Sequence, residues 1–213
     1  MAFDASPPSD CQACARLARF RAANRAAYPD WRNAPVESFG DPQARLLVVG
    51  LAPGLRGANR TGRPFTGDGA GELLYATLLE FDFARGVYDR RPDDGLVLRD
   101  CAIVNAVRCV PPENKPTPAE IAACRPYLSR AIRSLPRLKA IVALGRIAHD
   151  SVARALDLRP ARLSFAHGAR HALDGAAFVL FDSYHCSRYN TNTGVLTPAM
   201  FRAVFAAARA HLA

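Results

Sequence analysis

Four cysteines in this chain are placed to bind a metal centre. Cys11 and Cys14 form a CxxC pair, and Cys109 and Cys124 lie 15 positions apart much further along. Thiolates in such an arrangement hold either a metal ion or an iron–sulfur cluster. A zinc ribbon prefers two tight pairs, and only one pair is tight here, which favours iron and sulfide. Cys101 and Cys186 stand alone in apolar or strand-like settings. Cys101 reads as a small buried hydrophobe.

Three polar loops carry the other reactive residues. The first, Gly50 to Asp68, is rich in glycine, which lets backbone approach a ligand closely. No Gly-Lys-Ser/Thr follows, so it is not a Walker loop. Arg56, Arg60 and Arg63 in it are candidates for phosphate contacts. Phe65 either packs beneath the loop or offers a stacking face to a base. The second loop starts at Asn105, at the end of an apolar run. A buried amide must be paired, so Asn105 either ties down backbone or reads the edge of a ligand. The third is Ser183-Tyr-His-Cys-Ser-Arg-Tyr189. His185 directly follows an apolar strand and precedes a dense polar run, a placement that favours function. His149, His167, His171 and His211 have no such context.

The elements between these loops alternate. Residues 45–50, 101–105, 138–144 and 178–181 are apolar runs that read as buried parallel strands. Residues 11–27 have helical composition. Leu74, Leu78 and Phe81 share one helical face, as do Ile121, Cys124, Leu128, Ile132 and Leu135. Thr117-Pro118 with Glu120, and Thr197-Pro198, are helix starts. Strand–helix alternation predicts a doubly wound α/β fold with a four-stranded parallel sheet. In such sheets the ligand sits beyond the carboxyl ends of the strands, which is where loops 51–69, 105–116 and 182–195 emerge.

The bulk properties set limits. A chain of 213 residues, half of them hydrophobic, forms one ordinary domain with a real core. The net charge of +9 suits a polyanionic partner such as nucleic acid. Only two of the 28 basic residues are lysines, however, so part of the excess reads as a compositional bias towards arginine. No apolar run approaches the ~20 residues that a membrane helix needs. The N-terminus, Met1 to Asp10, shows no signal pattern. A soluble, cytoplasmic protein is expected, in which cysteines do not pair as disulfides.

Beyond these patterns, the sequence resembles the family 5, or type b, uracil-DNA glycosylases over about residues 11–212. The stretches that carry the likeness are GLAPGLRGANRTGRPFTGD (50–68), AVRCVPPENKPTPAEIAAC (106–124), VALGRIA (142–148) and SYHCSRYNTNTGVLT (183–197). The resemblance implies a three-layer α/β/α sandwich around a four-stranded parallel sheet. It implies a [4Fe-4S] cluster on Cys11, Cys14, Cys109 and Cys124, with residues 1–44 an N-terminal cluster-binding helix and loop of a single domain, 1–213. It implies removal of uracil, and in several members hypoxanthine or xanthine, from double-stranded DNA. Nothing in the sequence points to oligomerisation, and a monomer is expected. Two departures stand out. Leu51-Ala52 follows the opening glycine, as in family 5, so the polar water-activating residue of many relatives in the wider superfamily is absent. Cys186 follows the motif histidine, where many have proline.

Roles follow from that likeness. Breaking an N-glycosidic bond leaves positive charge on the sugar and negative charge on the base, and a site must stabilise both. Asp68, before a helix start, is the candidate for the sugar side and for holding water. Its plain reading is a helix N-cap. The helix N-terminus is expected to keep it ionised. His185 is the candidate for the leaving base. Asn105 would read the base edge and Phe65 stack on its face, with Ala52 and Gly54 lying against it. Arg56, Arg60, Arg63, Ser187, Arg188 and Tyr189 are the expected DNA contacts. The rival is a non-catalytic nucleic-acid-binding module with a structural metal, which leaves Asp68 and His185 idle.

Overall fold

The computed structural model describes residues 6–173 and 175–213. Residues 1–5, the start of the stretch read as lacking a signal pattern, lie outside the described residues. In chain order the elements are α1 (Ala15–Ala27), β1 (Phe39–Gly40), β2 (Leu46–Gly50), α2 (Ala58–Thr61), α3 (Gly69–Glu80), β3 (Ala84–Arg85), β4 (Val97–Leu98), β5 (Cys101–Asn105), α4 (Pro118–Arg133), β6 (Ala140–Leu144), α5 (Arg146–Ala155), β7 (Arg170–Ala172), β8 (Val179–Ser183), α6 (Arg188–Asn192) and α7 (Pro198–Leu212).

The main sheet runs β1-β5-β2-β6-β8-β7. Its inner four strands are parallel, with Val48 opposite Ile103 on one side and Val142 on the other. Every residue of these strands is buried. That is what a parallel strand covered on both faces requires, and it explains their unbroken apolar runs. One face packs Leu74 and Leu78 of α3 and Phe201 and Phe205 of α7. The other packs Leu128 and Ile132 of α4 and Val152 of α5. The α/β/α sandwich is therefore as expected, but the sheet has six strands rather than four. The two additional strands are antiparallel edges, β1 on β5 and β7 on β8. Two- and three-residue strands carry no period for a sequence to reveal. Gly40 in β1 is needed because a Cβ there would run into the backbone of Cys101 and Ala102, at φ +130°.

Capping sets where the helices begin. Thr117 and Glu120 form a reciprocal capping box at α4, and Thr197 caps α7 through the amide of Met200. Glu120 also receives both arms of the Arg16 guanidinium, at 2.8 Å each. This ties α1 to α4, while Leu17 of α1 packs with Val107, Cys109 and Cys124. Helix α1 starts at Ala15, so the CxxC pair lies in the turn before it rather than inside it. No described helix is long and apolar enough to cross a membrane.

Candidate active site

The three loops converge at the carboxyl edge of the sheet around a cavity of about 770 Å³. Asn105 enters it from the end of β5, His185 from just past β8, and Phe65 and Asp68 from the loop between α2 and α3. Asn105 is 3% exposed, and its Oδ1 has no hydrogen-bond partner among the described residues. A buried amide oxygen without a partner is costly unless a ligand completes it. Phe65 lies beside it: a Cβ on Gly50 would run into both the Asn105 amide and the Phe65 ring. The Phe65 and His185 rings stand 6.0 Å apart, tilted by 30°. Phe65 holds a φ of +54°, a conformation rare for an aromatic residue. Tyr88 braces it by donating its hydroxyl to the Phe65 carbonyl at 3.0 Å. Ala52 and Gly54 also line the cavity.

His185 has no side-chain hydrogen bond to any described residue; only its carbonyl is used, accepting from Asn190 Nδ2 at 2.8 Å. Burial lowers its pKa to about 4, because desolvation disfavours the imidazolium. The ring is neutral at physiological pH and has an N–H to offer a ligand.

Asp68 caps α3, its Oδ1 accepting from the Ala70 amide at 3.2 Å. Helix start and cavity wall thus share one residue. The expectation that the helix N-terminus would dominate its ionisation is corrected here. Burial is the larger influence and raises its pKa, while the amides of Ala70 and Gly71 and the charge of Arg188 oppose that rise. The carboxylate is a better base than a free one. It presses on backbone that only glycine permits: a Cβ at Gly54 would stand 2.9 Å from Oδ2, and one at Gly57 would overlap it.

The expected DNA contacts divide. Arg56 and Arg60 are exposed, and Arg56 lies at the cavity. Arg188 also lies there; its side chain is 70% exposed, and Glu72 stands 3.6 Å away. Tyr189, next to it, is 74% exposed. Ser187 lines the cavity and caps α6 through the Asn190 amide. Arg63 does not belong with them. It is 5% exposed and grips Asp94 at 2.8 and 2.7 Å, with Nε on Thr66. Its guanidinium sits among Phe39, Tyr75 and Tyr88. A buried cation must be paired, and this one is paired inside the protein, out of reach of DNA. Glu72 and Arg90 line the cavity mouth, joined at 2.9 Å, and the sequence reading missed both. Glu72 lies one helical turn after Asp68, a spacing that could have revealed it. Nothing in the local sequence marks Arg90.

Cys11, Cys14, Cys109 and Cys124 surround a separate small void between α1, α4 and the loop after β5. Arg21 donates to Cys109 Sγ at 3.2 Å, and the Arg108 amide to Cys124 Sγ at 3.4 Å. Burial pushes the Cys14, Cys109 and Cys124 thiols up, the last to about 11. Among the described residues the one trio of metal-binding side chains with ligand atoms all within 4.8 Å is His149, His171 and Asp182. Cys101 and Cys186 are fully buried in the main core, away from this group.

The α/β/α sandwich thus carries at its sheet edge one cavity lined by Phe65, Asn105, Asp68 and His185. Residues 37–209 match the family model of the uracil DNA glycosylase superfamily, and the chain belongs to that superfamily. It is 43% identical to a type-5 uracil-DNA glycosylase of Thermus thermophilus, covering 93% of this chain and 92% of the relative. It is 41% identical to the Mycobacterium leprae type-5 enzyme, covering 92% and 89%. Similarity to a type-4 enzyme of Saccharolobus solfataricus is lower, 31% over 82% of this chain and 70% of the relative.

Proposed function

We propose that this protein is a monofunctional base-excision-repair glycosylase. It acts as a monomer on double-stranded DNA, hydrolyses the N-glycosidic bond of flipped-out uracil and leaves an abasic site. Hypoxanthine and xanthine present the same lactam edge and are further substrates. The observation that carries this reading is the Asn105 amide oxygen, buried with no hydrogen-bond partner among the described residues, in the cavity that Phe65 and His185 also line.

A base inside a duplex is unreachable, so the nucleotide is first extruded. Tyr189, exposed beside the mouth, fills the gap it leaves, while Arg56, Arg60 and Arg188 hold phosphates and fix register. The base stacks on Phe65 against Ala52 and Gly54, and Asn105 reads its edge. Neutral His185 donates to a base oxygen as negative charge grows there. Asp68 holds the attacking water and faces the oxocarbenium-like sugar, as a glycosidase carboxylate does. Its desolvation strengthens that attraction.

The four thiols suit a [4Fe-4S] cluster. Their donor set, their shared void and the N–H groups of Arg21 and Arg108 aimed at sulfur support it. The cluster would supply cross-linking rather than chemistry, fastening α1 to α4 and to the loop that carries Asn105. The test of function is incubation with a duplex containing one uracil, then alkali. Strand scission at uracil and none at thymine is expected. An intact strand would refute the reading.

A further inference from the structure

Outside the cavity, three side chains from separate elements meet beneath the sheet edge. His149 Nδ1 lies 2.7 Å from Asp182 Oδ1, and His171 Nε2 lies 2.9 Å from Asp182 Oδ2. The side chains of His149 and Asp182 are fully buried, and that of His171 is 13% exposed. The proposed reaction uses none of them.

Their hydrogen bonding does not close with neutral partners. His149 Nε2 faces the Leu163 carbonyl at 2.9 Å, and a carbonyl only accepts. Its Nδ1 faces a carboxylate. A neutral imidazole has one N–H, so both contacts can be made only if the group holds one additional positive charge. That charge is either a proton or a metal ion.

We propose that His149, His171 and Asp182 form a site for a divalent ion of the zinc class. The three ligand atoms already lie within 4.8 Å of one another. Two imidazoles and one carboxylate are a donor set that zinc accepts. An ion in place of the Nδ1 proton leaves Nε2–H on Leu163, and a metal-bound histidine commonly donates its other N–H to just such a carbonyl. The partly exposed edge of His171 gives the ion its entry. The site joins α5, β7 and β8, and β8 runs directly into His185. Its role is to brace the strand that carries the cavity histidine.

The probe is zinc chloride added to the iron-loaded protein, followed by gel filtration and elemental analysis of zinc and iron together. One zinc per chain is expected in the wild type, with iron unchanged. His171→Gln, at a partly exposed position, should weaken zinc binding at least ~100-fold and keep its iron. Zinc should raise the melting temperature of the wild type but not that of His171→Gln. Two outcomes overturn the proposal. One is a wild type that retains no zinc at micromolar concentration. The other is zinc retained equally by the variant, which would place the ion elsewhere. Neither depends on glycosylase activity.

Discussion

Replacing Asp68 by Asn separates charge from structure at the heart of the proposed mechanism. The substitution changes one atom of a side chain that caps α3. Asn is as good an N-cap as Asp, so the helix keeps its start. What disappears is a desolvated negative charge. Losing one preorganised electrostatic contact in a water-poor site costs about 2.7 kcal/mol of barrier or more, roughly 10²-fold in rate. Stability moves the other way. Because burial raises the Asp68 pKa, the fold favours the protonated acid, and the ionised form weakens the native state once pH exceeds its folded pKa. Asp68→Asn should therefore melt no lower than the wild type at neutral pH, and if anything higher. Single-turnover kinetics on a uracil duplex, paired with thermal melting, give both numbers. A variant with near wild-type rate would refute the charge assignment and leave Asp68 as a cap. A variant that is slow only because it melts early would refute the stability argument as well.

Four further outcomes follow from the same geometry. His185→Ala should fold and bind duplex normally yet lose most of its excision rate, because the histidine acts on charge present only in the transition state. A proportional loss of affinity in a filter-binding assay would make it a docking residue. The His185 pKa, lowered from 6.5 to about 4, also gives the wild type a stability that is present above pH 6.5 and lost as pH falls towards 4. Melting curves of His185→Gln should lack that component. Cys109→Ser and Cys124→Ser should purify colourless and poorly folded, whereas Cys186→Ser, in the main core, should keep its iron. Iron retained in Cys124→Ser would remove it from the ligand set. Arg63→Met should lower stability by roughly 3 kcal/mol or more, since it strands the buried Asp94 carboxylate. Its salt dependence of DNA binding should match the wild type, as titrations against potassium chloride would show.

The parallel core was legible because burial on both faces makes strands such as Leu46–Gly50 unbroken apolar runs. The helix starts at Asp68, Thr117 and Thr197 were legible because capping is local chemistry. Arg63 was not. It stands in a loop beside Arg56 and Arg60 and looks like them. Its partner Asp94 is 31 positions away, and only the fold brings the two together. The group at Asp182 was hidden for the same reason: His149 lies on a helix, His171 on a three-residue edge strand and Asp182 just past the apolar run 178–181. The six-strand sheet order was equally out of reach at its edges, where β1 is two residues long.

Burying Arg63 also explains how one loop can be basic outside and acidic within. Asp94 neutralises Arg63 and accepts from the amides of Asp89 and Leu96, which fixes the segment that carries Tyr88 and Arg90 over the site. Arg56 and Arg60 remain exposed, where the proposed function has them meet phosphates. Among the described residues no cation forms an ion pair with Asp68. Arg188, the nearest positive influence on it, is also drawn to Glu72. The carboxylate is thus left desolvated and incompletely neutralised in the free protein. In the proposed mechanism a cation generated on the sugar is the charge that completes it, so the attraction grows as the bond breaks and is weak before then. That is the condition for lowering a barrier rather than merely tightening binding.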